Sequence, residues 1–303
     1  MITLERLTKR FGDSTAVDDL TVDVGAGLVT GFLGPNGAGK STTMRMILGL
    51  DRPTSGRALV AGRPYSELRH PLREVGALLD AKALHPGRGA RTHLRALART
   101  HHIPARRVDE TLDIVGLGEV GGRRAGGFSL GMHQRLGIAA ALLGDPGVLI
   151  FDEPVNGLDP DGVLWIRELI RSLAAEGRTV FVSSHLMSEM ELMADRLVVI
   201  GRGRLIADAP LSEVIATSSV AAVVVRCPDP GRLALLCQHL VAGGARVETS
   251  EESRLVISGT PIEEVGLLAH RLGVPLLELS ARQASLEEAY MELTAASAQF
   301  RAS

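Results

Sequence analysis

A glycine-rich loop, Gly34-Pro-Asn-Gly-Ala-Gly39-Lys40-Ser41, constrains the fold of this chain more than any other feature. It fits the pattern G-x-x-x-x-G-K-[ST], with a strand-like apolar run at 28–33 before it and a helical pattern at 40–50 after it. Glycines let backbone N–H groups approach phosphate oxygens closely, and the start of the following helix attracts the same anion. The loop therefore predicts a nucleoside triphosphate site, and by itself it does not specify the nucleotide or its use.

The residues of this loop are the first candidates for nucleotide contacts: Gly34, Pro35, Asn36, Gly37, Ala38, Gly39, Lys40, Ser41 and Thr42. We expect Lys40 to place its charge on the β- and γ-phosphates and Ser41 to offer its hydroxyl to Mg²⁺. Thr42 is placed to reach the α-phosphate. Of the 33 basic residues only Lys9, Lys40 and Lys82 are lysines. Because the chain otherwise uses arginine, the lysine at position 40 indicates that the motif specifically requires lysine there.

Further apolar runs alternate with helical patterns along the chain. Residues 148–151, 179–182 and 197–200 each have the pattern of a strand buried on both faces. Residues 163–175 have helical spacing, and a more helical stretch covers residues 91–143. Strands that alternate with helices in this way predict an α/β fold with a parallel sheet.

The pattern changes after residue 216, where we place a domain boundary. The predicted elements beyond it are a strand at 220–226, a helix at 233–241, a hairpin of 246–248 and 255–258 around 250–253, a helix at 262–272, a strand at 275–279 and a helix at 285–294. This order, β-α-β-β-α-β-α, predicts a small α+β domain of the split βαβ type.

Composition narrows the class of protein. The chain has 303 residues, of which 45% are hydrophobic, so a packed core is expected. Its 33 basic residues are balanced by 35 acidic residues, which argues against a nucleic-acid partner. Cys227 and Cys237 form no disulfide framework and are interpreted as small buried hydrophobes. With neither a secretory pattern at its start nor a long apolar stretch, the chain is expected to be soluble and cytosolic.

Two adjacent carboxylates, Asp152 and Glu153, end the apolar run at 148–151. Acidic residues often end strands without any chemical role. After a phosphate-binding loop, however, we expect Asp152 to hold Mg²⁺ through its water shell and Glu153 to polarise the water that attacks the terminal phosphate.

Three more segments lie in a fixed order around this pair. Ser129 precedes a helical run as an N-cap residue does, and with Gly131 it forms a second candidate anion site. A turn follows the carboxylates at 157–160. His185 follows the strand at 179–182. A single histidine there is often a bystander, but at the carboxyl edge of a parallel sheet it points to the ligand crevice.

Taken together, these segments resemble the nucleotide-binding subunit of an ATP-binding-cassette (ABC) transporter. The similarity covers residues 1–210, and the ordered set of motifs is highly specific. The matching segments are the Walker A loop at 34–42, the signature at 128–135, Walker B at 148–153, the D-loop at 157–159 and the switch histidine, His185. The C-terminal part, including 285–290, is similar to the drug-resistance and bacitracin-export branch of the family.

The resemblance implies a fold and a set of site residues. The fold is a P-loop NTPase domain at 1–216, with a RecA-like core and a helical subdomain at about 88–147, followed by a small α+β domain at 217–303. ATP and Mg²⁺ are the implied cofactors. The implied catalytic residues are Glu153, His185 and Lys40. The implied Mg²⁺ ligands are Ser41, Asp152 and Asp80. Beyond the loop, the residues implied to bind nucleotide are Ser129, Gly131, Asp159 and Phe11, the last by stacking on adenine.

Two segments, the signature and the Q-loop, depart from the pattern of the family. The signature usually has Leu-Ser-Gly-Gly-Gln, whereas this chain has Phe-Ser-Leu-Gly-Met at 128–132. Ser129 and Gly131 remain, but Met132 cannot make the hydrogen bond of a glutamine. At the Q-loop position the chain has Asp80 instead of glutamine. An aspartate can still offer an oxygen to Mg²⁺, but it is shorter and charged, and a solvated turn residue is the alternative.

The resemblance also implies partners. One loop and one signature per chain imply a homodimer, a head-to-tail sandwich with two ATP molecules between the subunits, which ATP binding closes and hydrolysis opens. The transport pathway would lie in separate transmembrane permease subunits that dock near residues 81–97. The chain would then be cytoplasmic and peripheral on the inner face of the membrane, with export as the direction of transport.

Other readings stay open at this point. The alternative function is a soluble ABC-type ATPase acting on the ribosome or on DNA. The interval between Lys40 and Ser129 leaves no room for the coiled coil of DNA-repair relatives, and ribosome-acting relatives carry two nucleotide domains per chain. Residues 217–303 contain no obvious ligand motif. A dimer-stabilising or regulatory packing role is favoured for them over a small-molecule sensor.

Overall fold

The computed structural model describes residues 1–81, 85–216, 222–251, 253–282 and 284–299. Lys82 and the rest of 82–84, which belong to the predicted docking stretch, lie outside the described residues. So do residues 217–221, next to the predicted domain boundary, and Glu252 of the predicted hairpin turn. The chain forms two compact units, Met1–Pro210 and Leu211–Ser303.

The first unit contains nine strands and seven α-helices among its described residues. In chain order they are β1 (Ile2–Phe11), β2 (Ser14–Val24), β3 (Val29–Leu33), α1 (Lys40–Ile47), β4 (Ser55–Val60), α2 (Pro71–Glu74), β5 (Val75–Leu78), α3 (Ala90–Thr100), α4 (Arg106–Ile114), α5 (Leu130–Leu142), β6 (Val148–Asp152), α6 (Pro160–Ala175), β7 (Thr179–Ser183), α7 (Met187–Met193), β8 (Arg196–Gly201) and β9 (Arg204–Pro210).

A six-stranded sheet in the order β5-β6-β7-β3-β8-β9 forms the centre of this unit. The first five strands are parallel, which confirms the predicted parallel sheet, and β9 is antiparallel to β8. All five residues of β3 and of β7 are buried, as expected for strands covered on both faces. Because β6, β7 and β3 are neighbours, the loops that follow them meet at one edge of the sheet.

A second, three-stranded antiparallel sheet, β2-β1-β4, was not predicted from the sequence. Its strands bury alternate residues such as Ile2, Leu4 and Val22, which pack on Met44 and Ile47 of α1 in one hydrophobic core. The sheet therefore supports the helix that follows the glycine-rich loop.

The predicted helical stretch is confirmed as the three helices α3, α4 and α5, which pack on one another. Leu94, Leu112 and Leu136 are fully buried, one on each helix. Where α5 passes α6, the guanidinium carbon of Arg135 lies 4.2 Å from the centre of the Trp165 ring. The same guanidinium donates to the carbonyl oxygen of Val115 at 3.0 Å.

The second unit is a four-stranded antiparallel sheet with helices, and its described elements are α8 (Leu211–Ala216), β10 (Ala222–Arg226), α9 (Pro230–Ala242), β11 (Arg246–Glu251), β12 (Arg254–Ser258), α10 (Ile262–Arg271), β13 (Glu278–Arg282) and α11 (Leu286–Gln299). The sheet order is β11-β12-β10-β13. The predicted α+β order of elements is confirmed. The unit begins at α8, which packs on α11, whereas the sequence analysis placed the boundary after α8.

The position predicted for the last strand, 275–279, is wrong: β13 is Glu278–Arg282. The apolar run before it suggested a buried strand, but Pro275 has no N–H to donate and Leu277 is 65% exposed. The antiparallel register pairs Val225 with Leu279 and continues to Ala222 opposite Arg282. Pairing with β10, and not the apolar run, therefore sets the position of β13, which extends into polar residues.

Both cysteines are free, with Cys227 buried in the core of the second unit and Cys237 partly buried beside it. Within the described residues, no helix is both long and apolar enough to cross a membrane.

Candidate nucleotide site

The glycine-rich loop turns directly into α1. Gly39 stands at the N-cap position with φ of +105°, a conformation that glycine adopts without strain. No side chain caps the first turn of α1, and no acidic residue lies in that turn. The free N–H groups and the helix dipole are therefore available to an anion.

Lys40 is buried beneath the loop that precedes it. Its ammonium donates to the carbonyl oxygen of Gly34 at 2.6 Å and to that of Pro35 at 3.4 Å. Burial lowers the pKa of Lys40, and the nearby charges of Glu153 and Asp152 oppose that shift by raising it. A bound polyphosphate would add negative charge beside the ammonium and so raise the pKa of Lys40. Anion binding would therefore help Lys40 to keep its charge.

The backbone at Gly39 packs tightly against β2. A Cβ at position 39 would clash with the backbone oxygen of Ala16 on β2, which cannot rotate away. We expect Gly39→Ala to lower the free energy of unfolding by about 2–3 kcal/mol, from left-handed strain and overpacking together, and to weaken ATP binding. Gly177→Ala is the matched control, because Gly177 also has positive φ but open space around it. Urea unfolding and nucleotide titration measure both effects; equal losses in the two variants would contradict the prediction.

The two carboxylates lie where β6 ends. Asp152 is the last residue of β6, and its carboxylate accepts a hydrogen bond from the hydroxyl of Ser183 at the end of β7. The same hydroxyl accepts from the N–H of Glu153 at 3.0 Å. Glu153 itself has φ of +52°, uncommon for a residue with a side chain. Ser183 thus ties both acidic residues to the neighbouring strand.

His185 contacts Glu153 directly. Its Nδ1 lies 2.7 Å from Oε2 of Glu153, and its backbone N–H donates to the same oxygen at 3.3 Å. Because a carboxylate oxygen only accepts, Nδ1 is the donor. The His185 side chain is half exposed, whereas that of Glu153 is only 22% exposed. The pair therefore fixes the Glu153 carboxylate against the His185 ring.

A cavity of about 610 Å³ joins the loop to the carboxylates. Its lining residues come from β2, the loop and α1, the segment after β5, the start of α5 and the end of β6. They are Ala16, Asn36, Gly37, Ala38, Gly39, Lys40, Ser41, Thr42, Leu79, Asp80, Ala81, Leu130, Gln134, Asp152, Glu153 and Asn156. The structure therefore brings the loop residues from Asn36 to Thr42, Asp80 and both carboxylates to one site, whereas Gly34, Pro35 and His185 are not among its lining residues. Cationic and oxygen-bearing groups in it suit a phosphate chain with a hard cation.

The start of α5 borders this cavity. Ser129 is the N-cap of α5 and accepts from the N–H of Met132 at 3.2 Å. Leu130 is exposed and packs against Gly157, where an added Cβ would clash with its side chain. Gly131 is close enough to Gly157 that an added Cβ would lie 3.2 Å from the Gly157 carbonyl oxygen. The signature and the D-loop are thus packed together within one chain.

The remaining two predicted residues have local partners as well. Asp159 is the N-cap of α6 and accepts from the N–H of Gly162 at 2.9 Å. Phe11, at the end of β1, is 52% exposed, and the ammonium of Lys9 lies 4.8 Å from the centre of its ring. In the β1–β2 hairpin, Ala16 lines the cavity and Phe11 does not. The role of Phe11 on adenine stays a prediction.

Two residues that the sequence analysis missed hold the site together. Ser183 links β7 to both carboxylates, as described above. Gln134 is only 4% exposed, and its side-chain amide donates to the carbonyl oxygen of Glu153 at 3.1 Å. The sequence signal for Gln134 was its position just before the apolar run 136–143, which indicates burial. A buried amide needs a hydrogen-bond partner, so a role in holding a neighbouring group could have been expected.

Comparison with known proteins identifies the family of this chain. A protein-family model described as ABC transporter matches residues 17–156, and a model described as a domain of unknown function (DUF8746) matches residues 221–287. The chain is 44% identical over 211 residues to the bacitracin transport ATP-binding protein BcrA of Bacillus licheniformis, with 69% of each chain covered. It is 33% identical over 304 residues to the daunorubicin resistance ATP-binding protein DrrA3 of Streptomyces coeruleorubidus, with 97% of this chain and 95% of that protein covered.

Among solved structures, the fold is similar to that of the ATP-binding cassette MJ0796, described in a dimeric post-hydrolysis state bound to ADP and Pi. The TM-score is 0.64 at 23% identity, over 70% of this chain and 99% of that one. These similarities confirm the family and the branch that the motifs indicated, and they give no support to the soluble alternative. The chain therefore belongs to the ABC transporter family and is an ATP-binding, ATP-hydrolysing member of it.

Proposed function

We propose that this chain is the ATPase subunit of an exporter, and that it works as a homodimer bound to separate transmembrane permease subunits. The observation that carries the proposal is that one cavity joins the glycine-rich loop, including Lys40, to Asp152 and Glu153. The names of the relatives support export, since they concern bacitracin transport and daunorubicin resistance.

In this proposal the loop and α1 bind the phosphates of ATP. Backbone N–H groups from Gly37 to Thr42 surround the phosphate chain, and Lys40 neutralises the β- and γ-phosphates. To reach them, the ammonium exchanges its bonds to the loop carbonyls for phosphate oxygens. The buried position of Lys40 strengthens this attraction because little water screens it.

The donor set at the cavity fits Mg²⁺. Ser41, Asp80 and Asp152 each present oxygen to it, and Mg²⁺ prefers oxygen ligands. Within the described part of the chain no group of three or more His, Cys, Asp or Glu side chains could hold a metal by itself. In nucleotide sites Mg²⁺ is usually held by one or two carboxylates and by substrate phosphates. When bound, the ion would neutralise charge that develops on the phosphates.

Hydrolysis requires water to attack the γ-phosphorus while the bond to the β-phosphate oxygen breaks. We assign Glu153 as the base that accepts the proton of this water. ADP leaves with the electron pair of the broken bond. His185 orients the Glu153 carboxylate through the contact at 2.7 Å. By the family resemblance, its other ring nitrogen would contact the γ-phosphate. A positioned base commonly contributes about 10²–10⁴-fold in rate.

A second copy of the chain completes each site in this proposal. Ser129 and Gly131 mark the start of α5, and they are assigned to the γ-phosphate of ATP bound by the partner, with Asp159 beside them. The dimeric state described for the MJ0796 cassette supports a dimer of this fold. Two identical chains would give two equivalent composite sites, so closure on ATP and opening after hydrolysis is the mechanical step.

The permease partner follows from the same proposal. We place the docking surface in residues 81–97, of which the described part includes the start of α3. The chain would lie on the cytoplasmic side of the membrane, where ATP is present. The cargo would be set by the permease and not by this chain.

A pull-down from detergent-solubilised membranes with MgATP tests the proposal, with Glu153→Gln as bait because that variant should retain ATP. Lys40→Ala is the matched control, which should not stay in the ATP-bound state. We expect a protein with many membrane spans to be recovered with the first bait in greater amount. Recovery of ribosomes or nucleic acid in its place would overturn the transporter assignment and leave the ATPase intact.

A further inference from the structure

Hydrogen bonds on both sides hold the backbone of Glu153 in a conformation that is disfavoured for residues with a Cβ. Its φ of +52° lies in the left-handed region. On one side its N–H donates to the carbonyl oxygen of Ser183 at 3.2 Å and to the Ser183 hydroxyl at 3.0 Å. On the other side its carbonyl oxygen accepts from the N–H of Asn156 at 3.2 Å and from the side chain of Gln134 at 3.1 Å. Such a conformation persists only where its surroundings fix it.

Of these partners, only Gln134 comes from a helix that starts at the signature. Ser183 belongs to the adjacent strand, and Asn156 is three residues along the same turn. Gln134 lies on α5, whose N-cap is Ser129. A helix moves as a rigid body over so short a distance, so a displacement of Ser129 also displaces the amide that holds Glu153.

Packing alone does not explain a glutamine at this position. The side chain is 4% exposed, and Leu136, Ile138 and Ala139 next to it on α5 are fully buried. An apolar side chain of similar length would fill the same volume without burying an amide. A buried amide contributes only when it is hydrogen-bonded, and here its donor is directed at the peptide of Glu153.

From these contacts we infer that Gln134 is a positioning residue, which sets the direction of the Glu153 carboxylate by holding the Glu153 carbonyl oxygen. Through α5 it links the signature, which contacts ATP bound by the partner subunit, to the base of this subunit's own site. The inference rests on the proposed function, in which Glu153 is the base and the signature faces the partner's nucleotide.

The first test replaces the amide without changing the length of the side chain. We expect Gln134→Met to lower kcat for ATP hydrolysis roughly tenfold to a hundredfold, because small displacements of a reacting group have effects of that size. The KM for ATP and the dissociation constant of MgATP should stay within about twofold, since the substitution keeps the length of this cavity-lining side chain and leaves the loop that binds ATP untouched. Leu136→Met is the matched control, a buried apolar substitution on the same helix that removes no hydrogen bond to Glu153, and it should leave kcat near that of the parent chain.

A double-mutant cycle separates positioning from a structural role. In the Glu153→Gln background, where the base is absent, Gln134→Met should lower the residual turnover by less than twofold. An equal loss in both backgrounds would overturn the inference while leaving Glu153 as the base. Normal turnover of Glu153→Gln itself would instead overturn the proposed function.

Folding of the variants is followed by thermal unfolding. The carbonyl oxygen of Glu153 keeps the Asn156 donor, so we expect both Gln134→Met and Leu136→Met to melt within a few degrees of the parent chain. If Gln134→Met does not fold, Gln134→Asn serves in its place, because it keeps a polar amide but is too short to reach the same oxygen. A full kcat in a folded variant that lacks the bond would overturn the inference.

Discussion

Replacing Lys40 by alanine is expected to lower ATP hydrolysis about a hundredfold or more. Lys40 is buried at the end of the glycine-rich loop, and its ammonium is the positive side chain that lines the cavity together with both carboxylates. Without it, the charge of the β- and γ-phosphates is no longer balanced in a site that water screens poorly. We also expect weaker MgATP binding, measured by titration of a fluorescent nucleotide alongside steady-state hydrolysis.

The same substitution should hardly change stability. Burial lowers the pKa of Lys40, which means that the folded chain without ligand holds this charge at a cost. The alanine variant loses that cost together with the two hydrogen bonds to the loop carbonyls, so it should unfold within a few degrees of the parent chain. Lys9→Ala is the control, because Lys9 is partly buried and donates to the carbonyl oxygen of Arg52 at 2.7 Å, outside the cavity. Retention of more than a tenth of the parent rate in Lys40→Ala, with normal ATP binding, would contradict the assignment.

Replacing Glu153 by glutamine is expected to slow hydrolysis about 10²–10³-fold while ATP binding is kept. The new side chain has the same shape and can still accept from His185, so the carboxylate contact at 2.7 Å has a neutral counterpart. The backbone bonds to Ser183 and Gln134 do not involve the side chain and should persist. What disappears is the group that takes the proton of the attacking water.

Slow hydrolysis with retained binding should trap the ATP-bound state. We expect Glu153→Gln to accumulate as dimers when MgATP is added, measured by light scattering after gel filtration, whereas the parent chain returns to monomers as it hydrolyses ATP. Glu168→Gln, an exposed position on α6, is the control for loss of one negative charge. Turnover of Glu153→Gln within a few-fold of the parent rate would exclude Glu153 as the base.

The sequence predicted the parts of the fold whose signals are local. The loop at 34–41 is a contiguous motif, and each buried parallel strand is a continuous apolar run, so both can be located without knowledge of the tertiary structure. The three-stranded antiparallel sheet and the antiparallel β9 depend on which strands pair, which single runs do not record. The shift of the last strand from 275–279 to Glu278–Arg282 has the same origin, because the register with β10 decides it.

The candidate site shows the same division. Lys40 was found because it lies in a contiguous motif, and Asp152 and Glu153 were found because they are adjacent at the end of an apolar run. Ser183 and Gln134 were missed because they lie 30 and 19 positions from Glu153, on β7 and α5. Residues of this kind hold a functional side chain in place from elsewhere in the chain, so only the folded structure brings them together with it.

The stacking of Arg135 on Trp165 gives this protein an internal optical reporter. Trp165 is the only tryptophan in the 303 residues, so its indole emission comes from a single place. That place is the contact between α5 and α6, the two helices that begin at the signature and at the D-loop. A guanidinium held 4.2 Å from an indole alters the surroundings of its excited state, and any motion of one helix past the other changes that distance. Any rearrangement of the two segments on nucleotide binding can therefore be followed in the unlabelled protein, in real time and without altering a residue.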